Sequence, residues 1–119
     1  MYSIFLNGIK IGTTELEFCD SSMGVVFGKI ISINDNLNYN FIKNYCEENN
    51  VEIIHNDFDD KLIGTQNIQE LKVYNNSGIE ITKNSGCNIE GMDNDGYQIT
   101  ILGIPNSLLE KEFPHHINK

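Results

Sequence analysis

Apolar and polar positions alternate along most of this 119-residue chain, and alternation is the signature of half-buried strands. Residues 2–6 (YSIFL) are a β-favouring run that stops at Asn7-Gly8. That pair suits a two-residue hairpin turn, because both of its positions tolerate positive φ. A return strand is predicted from Ile9. In 14–18 (TELEF), Thr14, Leu16 and Phe18 fall on one side and Glu15 and Glu17 on the other, which predicts another half-buried strand. Residues 24–33 (GVVFGKIISI) are more continuously apolar and predict a central strand buried on both faces, with Gly24 and Gly28 marking a bulge or a close backbone approach.

One stretch breaks the alternation. Leu37, Phe41, Ile42, Tyr45 and Cys46 recur at helical spacing and predict a helix over about 37–49, capped by Asp35 or Asn36. Beyond it the strands return. Residues 51–54 (VEII) predict a short strand, HNDFDD at 55–60 and then Leu62 and Ile63 a loop or helical turn, and 70–74 (ELKVY) a strand turning at Asn75–Gly78 into 79–82 (IEIT). There Leu71, Val73, Ile79 and Ile81 are expected to face inward. Residues 87–90 (CNIE) predict a strand. Asp93-Asn94-Asp95-Gly96 predicts a tight turn into 97–102 (YQITIL), with Tyr97, Ile99 and Ile101 on one face. Residues 105–112 predict a short helix with Pro105 in its first turn, stopped at Phe113-Pro114. The sum is a single α+β domain over 1–119. Six to eight mostly hairpin-linked strands form an antiparallel sheet, and one main helix packs on a face. No regular strand–helix–strand alternation supports a doubly wound sheet.

Charge narrows the function. Seventeen carboxylates oppose eight lysines, Arg is absent and the formal charge is −9. Phosphate binding needs clustered cations, and these lysines are scattered, so nucleic acid is excluded as a partner. An anionic membrane surface is disfavoured on the same ground. No apolar run approaches the ~20 residues of a span. The N-terminal MYSIFLNGIKIG lacks the pattern of a signal peptide. Cys19, Cys46 and Cys87 are too few and odd in number for a disulfide framework, so free, buried thiols in a reducing cytoplasm are expected.

Several residue groups can be weighed for chemistry. His55, Asp57 and Asp59 alternate, so an extended backbone would put them on one face with Asp60 adjacent, an oxygen-rich arrangement that suits Ca²⁺ or Mg²⁺. The turn glycine that a calcium loop requires is missing, and a solvated acidic loop is the plainer reading. Asp93-Asn94-Asp95-Gly96 begins like such a loop but fails at Tyr97 and Gln98. Adjacent His115 and His116 would point to opposite faces of a strand, a poor chelating geometry. Cys87 with His55 or His115 could form a nucleophilic pair only if a base lowered the thiol. Nucleotide-binding, hydrolase and zinc motifs are all absent. No metal or cofactor is expected, and an enzyme is the minority reading.

Two segments carry a resemblance: Asp20-Ser21-Ser22-Met23-Gly24-Val25-Val26-Phe27-Gly28 after the Asn-Gly hairpin, and Leu102-Gly103-Ile104-Pro105 followed by Glu112-Phe113-Pro114-His115-His116. The layout resembles a group of small, largely uncharacterised bacterial proteins. By size, acidity and lack of enzyme motifs it is similar to immunity proteins of toxin–immunity pairs, including contact-dependent growth inhibition. The resemblance implies a cytoplasmic protein that neutralises a cognate toxin domain. A toxin acting on nucleic acid needs a cationic cleft, and an acidic inhibitor is steered into such a cleft. The expected contact residues are Glu47, Glu48, Asp57, Asp59 and Asp60, with Phe58 or Tyr45 as an aromatic anchor. Two other classes stay open. One is a small enzyme or ligand-binding protein with His115, His116 or Cys87 near a pocket. The other is an assembly subunit whose acidity serves only solubility.

Overall fold

The computed structural model describes residues 1–20, 22–33, 37–83 and 85–113. The expected capping residues Asp35 and Asn36, and the histidines His115 and His116, lie outside the described residues. Among the described residues, ten strands and two helices follow in the order β1 (Tyr2–Leu6), β2 (Ile9–Thr14), β3 (Phe18–Asp20), β4 (Val25–Lys29), β5 (Ile31–Ser32), α1 (Tyr39–Glu48), β6 (Ile53–Asp57), β7 (Leu62–Thr65), β8 (Leu71–Tyr74), β9 (Gly86–Met92), β10 (Gly96–Leu102) and α2 (Asn106–Glu112). These strands pair antiparallel throughout. They form a four-stranded sheet, β5-β2-β1-β8, and a six-stranded sheet, β3-β4-β10-β9-β7-β6. The class is α+β, as the alternation predicts, but the strands divide between two sheets and are shorter and more numerous than the pattern implies.

Asn7 and Gly8 take φ of 52° and 81°, the primed turn whose twist matches its flanking strands. The turn sets β1 against β2, and the inward residues of β1, Ile4 and Leu6, enter the core. On β10, Tyr97, Ile99 and Ile101 are all buried on one face. Together with Cys87 and Ile89 of β9, Ile63 of β7 and Leu71 and Val73 of β8, they belong to one continuous apolar cluster fed by both sheets.

Where the chain changes sheets, simple alternation fails. Residues 14–18 do not form one strand. Leu16 is fully buried at φ 48°, a left-handed conformation that costs a non-glycine residue roughly 1–2 kcal/mol. Its amide is held by the Thr14 hydroxyl at 3.2 Å. Beyond this corner Phe18 faces solvent, 54% exposed. Residues 24–33 do not make one central strand either. The chain leaves the six-stranded sheet after Lys29 and passes through buried Ile30, whose N–H reaches the Tyr97 carbonyl at 2.8 Å. It then pairs with β2 in the other sheet as Ile31–Ser32. The two glycines of this stretch are sites of close approach: a Cβ on Gly28 would sit 2.6 Å from Thr14 Oγ1, and one on Gly24 would sit 2.8 Å from the Ile104 carbonyl oxygen.

Further corrections are local. α1 begins later than predicted, at Tyr39, and its N-cap is Asn38, whose side-chain oxygen accepts the Phe41 N–H at 2.9 Å. Its buried stripe is Tyr39, Ile42 and Cys46, while Phe41 is partly exposed. The strand expected at 51–54 is displaced to Ile53–Asp57, and Leu62–Thr65, expected as a loop or helical turn, is a strand. Ile79 is exposed, and 79–82 contributes a single bridge, Tyr74 to Glu80, instead of a strand. Pro105 is the N-cap of α2 and precedes its first turn.

Candidate functional site

The β6–β7 hairpin places most of the expected contact residues. Asp57 ends β6, and its Oδ1 accepts the N–H groups of Asp59 and Asp60 at 3.0 and 3.2 Å. By drawing in those amides the carboxylate ends the extended backbone. Asp59 therefore sits in the turn, not on the face of His55 and Asp57, which corrects the alternation expected for the three. No three His, Cys, Asp or Glu side chains converge as a metal would need among the described residues.

The turn is anchored to α1. Tyr39 is 1% exposed, and its hydroxyl donates to the Asn56 side-chain oxygen. The Phe58 ring meets Tyr39 edge-on at 6.3 Å, and the Lys61 ammonium lies 3.4 Å above the Phe58 centroid. Phe58 stays 64% exposed, but the turn carries its own cation beside its carboxylates. A third element locks the same corner. Asp93 Oδ1 accepts the Tyr39 N–H at 2.9 Å and the Tyr97 hydroxyl at 2.7 Å. It thus supplies an anion to the first turn of α1, where the helix dipole favours one. Burial first, and then the neighbouring Asp93, push the Tyr97 phenol well above its ordinary range.

Glu47 and Glu48 are exposed on the last turn of α1. At 1.5 Å rise per residue they stand about 13 Å along the axis from Tyr39 and the hairpin tip. The expected contact residues thus lie at two ends of one helix and do not form a single cluster. Tyr45 is half-buried on the same helix.

Strand register reveals a second arrangement. Residues His55, Gly64, Glu90, Gln98 and Lys29 pair successively across β6, β7, β9, β10 and β4. They form one row on the outer face of the six-stranded sheet, opposite the core. At its end the Lys29 N–H donates to Glu17 Oε2 at 3.1 Å. The row floors an open groove of about 780 Å³ that also takes in Phe18 and Asp95. Gly64 is buried beneath its neighbours in this row: a Cβ there would lie 3.3 Å from His55 Cδ2 and 3.5 Å from Glu90 Cβ, so the glycine lets those two side chains close over it. Of the residues singled out from sequence, only His55 belongs to this row. Glu17, Lys29, Glu90 and Gln98 are ordinary surface letters until pairing aligns them.

The thiols do not join it. Cys46 and Cys87 are buried, and Cys19 is half-buried where a buried thiol is expected. Cys87 faces the core side of β9, so the sheet itself separates it from His55. Burial pushes its thiol well up, the wrong direction for a nucleophile. With a thiol-specific chromogenic reagent, Cys19 is expected to react first in the native protein, and Cys46 and Cys87 only as the protein unfolds. Early labelling of Cys87 would contradict this placement.

No helix among the described residues is long and apolar enough to cross a membrane. No protein-family model, curated protein or solved structure matches this chain.

Proposed function

We propose that the protein is a binding module that neutralises a cationic partner, in the manner of an immunity protein whose cognate toxin domain is a basic nuclease. One observation carries this reading: among the described residues, five further carboxylates are hydrogen-bonded to neutral donors. Glu17 accepts a backbone N–H, Asp20 and Glu80 accept hydroxyls, Glu90 accepts the Gln98 amide, and Glu112 accepts from Asn75 and Tyr2. Each donor is neutral, so these bonds orient the carboxylates without cancelling them. A net −9 presented this way steers the protein towards a positive cleft, where it competes with phosphate. Glu47, Glu48, Asp57, Asp59 and Asp60 supply exposed charge on this reading, and Phe58 is the aromatic anchor. The three free thiols suit action in a reducing cytoplasm.

The test uses the product of the neighbouring upstream gene. The two proteins are mixed at low ionic strength, and complex formation and relief of toxicity are measured. A complex that weakens steeply with salt supports the reading. No complex, and no protection of cells expressing the toxin, defeats it. The alternative of a small enzyme or ligand-binding protein draws support from one feature, the open groove that His55 and Glu90 help to line. Saturable binding of a small metabolite, lost in His55→Gln, would favour it.

A further inference from the structure

We propose that Asn7 is a site of spontaneous covalent modification, in which the Gly8 nitrogen attacks the Asn7 side-chain amide and the turn between β1 and β2 becomes an isoaspartyl or aspartyl linkage. The reaction is independent of what the protein binds and consumes only water. The Gly8 nitrogen gives up its proton and bonds to Asn7 Cγ. The Cγ–Nδ2 bond breaks, and Nδ2 leaves as ammonia carrying that proton. Water then opens the resulting succinimide ring at either carbonyl. Opening at the former main-chain carbonyl routes the backbone through Cβ and leaves a free α-carboxylate. Nothing is oxidised or reduced.

Sequence and structure together select this asparagine. Asn7-Gly8 is the only Asn-Gly pair in the chain, and a glycine leaves the attacking nitrogen uncrowded and its backbone free to turn. Both residues are exposed, and a Cβ built on Gly8 would meet no atom within 4 Å. Among the described residues, neither the Asn7 side-chain amide nor the Gly8 N–H has a hydrogen-bond partner. At other asparagines the nitrogen that would attack is held. The N–H after Asn76 donates to Asn75 Oδ1 at 2.9 Å. Those after Asn50, Asn67 and Asn94 donate to the carbonyls of Cys46, Cys87 and Met92 at 3.0, 2.8 and 3.2 Å. The Asn38 and Asn56 side-chain oxygens are themselves engaged. Asn106 precedes a serine, whose side chain crowds the nitrogen. A bond that must open first slows ring closure about tenfold.

The position of the turn gives the reaction a consequence. Leu6 and Ile9 pair to close the hairpin, and the Asn7 main-chain N–H donates to the Glu70 carbonyl at 3.0 Å. The tip therefore ties β1 and β2 to the chain just ahead of β8. A backbone lengthened through Cβ cannot keep the primed-turn geometry, so both links loosen. Asn7 also borders an apolar groove of about 310 Å³ between the hairpin and α1, with Ile9, Ile33 and Phe41 on its wall. The product sets a new carboxylate at that wall, and a charge against apolar side chains is unfavourable. Older molecules are thus more acidic and looser at one end of the four-stranded sheet.

The test incubates the full native chain at mildly alkaline pH in H₂¹⁸O and reads peptide maps at intervals by mass spectrometry. Isoaspartate is scored separately with an isoaspartyl methyltransferase and a labelled methyl donor. Asn7 is expected to take up ¹⁸O about tenfold faster than any other described asparagine. Its rate should rise in proportion to hydroxide, with isoaspartate at the same position. Asn7→Gly removes the reacting amide and leaves a Gly-Gly pair that suits the same turn. That variant is expected to form no isoaspartate in residues 2–14. Amide exchange in β1 and β2 should rise with age in the natural sequence and stay constant in Asn7→Gly. The proposal is overturned if Asn7 reacts in urea but stays intact in the native protein, because the turn then protects it. It is overturned equally if another asparagine reacts first, or if isoaspartate forms at Asp95-Gly96 alone. Conversion of Asn7 with unchanged exchange in β1 and β2 would overturn the loosening of the sheet.

Discussion

Gly91→Ala is expected to cost about 3 kcal/mol or more of folding stability. Two effects act together at this position. Gly91 sits in β9 at φ 152°, which side chains rarely adopt. A Cβ built there would fall 2.2 Å from the Gly96 carbonyl oxygen and 2.7 Å from Tyr97 Cα. Those atoms belong to the paired backbone of β10, so no flexible group can move aside. Relief requires separating β9 from β10 at the mouth of their hairpin, where Asp93 also organises α1. Gly78→Ala isolates the conformational part. Gly78 has φ 82°, but a Cβ added to it would meet no atom within 4 Å, and the change is expected to cost about 1 kcal/mol. Urea unfolding of both variants measures the difference. Equal losses would show that steric contact with β10 is not what fixes the glycine.

Tyr39→Ala is expected to cost about 4 kcal/mol, in the range of a deleted buried aromatic ring. Tyr39→Phe should cost only about 1 kcal/mol, the net worth of one hydrogen bond. The ring fills the space between α1 and the β6–β7 hairpin, and its hydroxyl reaches Asn56. The Ala variant therefore removes both the core contact and the support under Phe58. Denaturant midpoints give the two costs. Amide exchange in residues 57–61 gives the local effect, which should rise in Tyr39→Ala and change little in Tyr39→Phe. If the turn stays equally protected in both, Phe58 and Lys61 hold it without the helix.

Hairpins are the most legible part of the fold. Asn7-Gly8, the turn at Asp93–Gly96 and the inward set Tyr97, Ile99 and Ile101 all follow from local rules, because turn chemistry and period-2 alternation act within a few residues. The places where the chain changes sheets are not legible. At Leu16 a buried leucine occupies a left-handed corner that its identity gives no sign of. At Ile30 a continuous apolar run conceals a change of partner strand. In both cases tertiary packing overrides local preference. Tyr39 escapes the helical pattern for the same reason: its neighbours fit an apolar stripe, and only packing shows which face the helix turns inward. Asp93 reads as a turn residue and is one, but the reach of its carboxylate to α1, fifty-four positions away, is invisible to any local pattern.

The candidate groove shows the limit most clearly. His55 stands out as a rare residue type, whereas Glu90, Gln98, Lys29 and Glu17 are common letters far apart in the chain. What unites them is pairing order, β6-β7-β9-β10-β4, and that order comes from the global topology. The acidic residues that sequence places close together, from Glu47 to Asp60, are spread by the structure along one helix and its neighbouring turn.

The strand order also bears on synthesis. β10, which is central to the larger sheet between β4 and β9, is the last of these strands to be made. Until Gly96–Leu102 leaves the ribosome, β4 and β9 lack the neighbour that joins them. A nascent chain of this topology holds two unfinished β edges at once until β10 pairs, so a holdase bound to the emerging chain should raise the soluble yield.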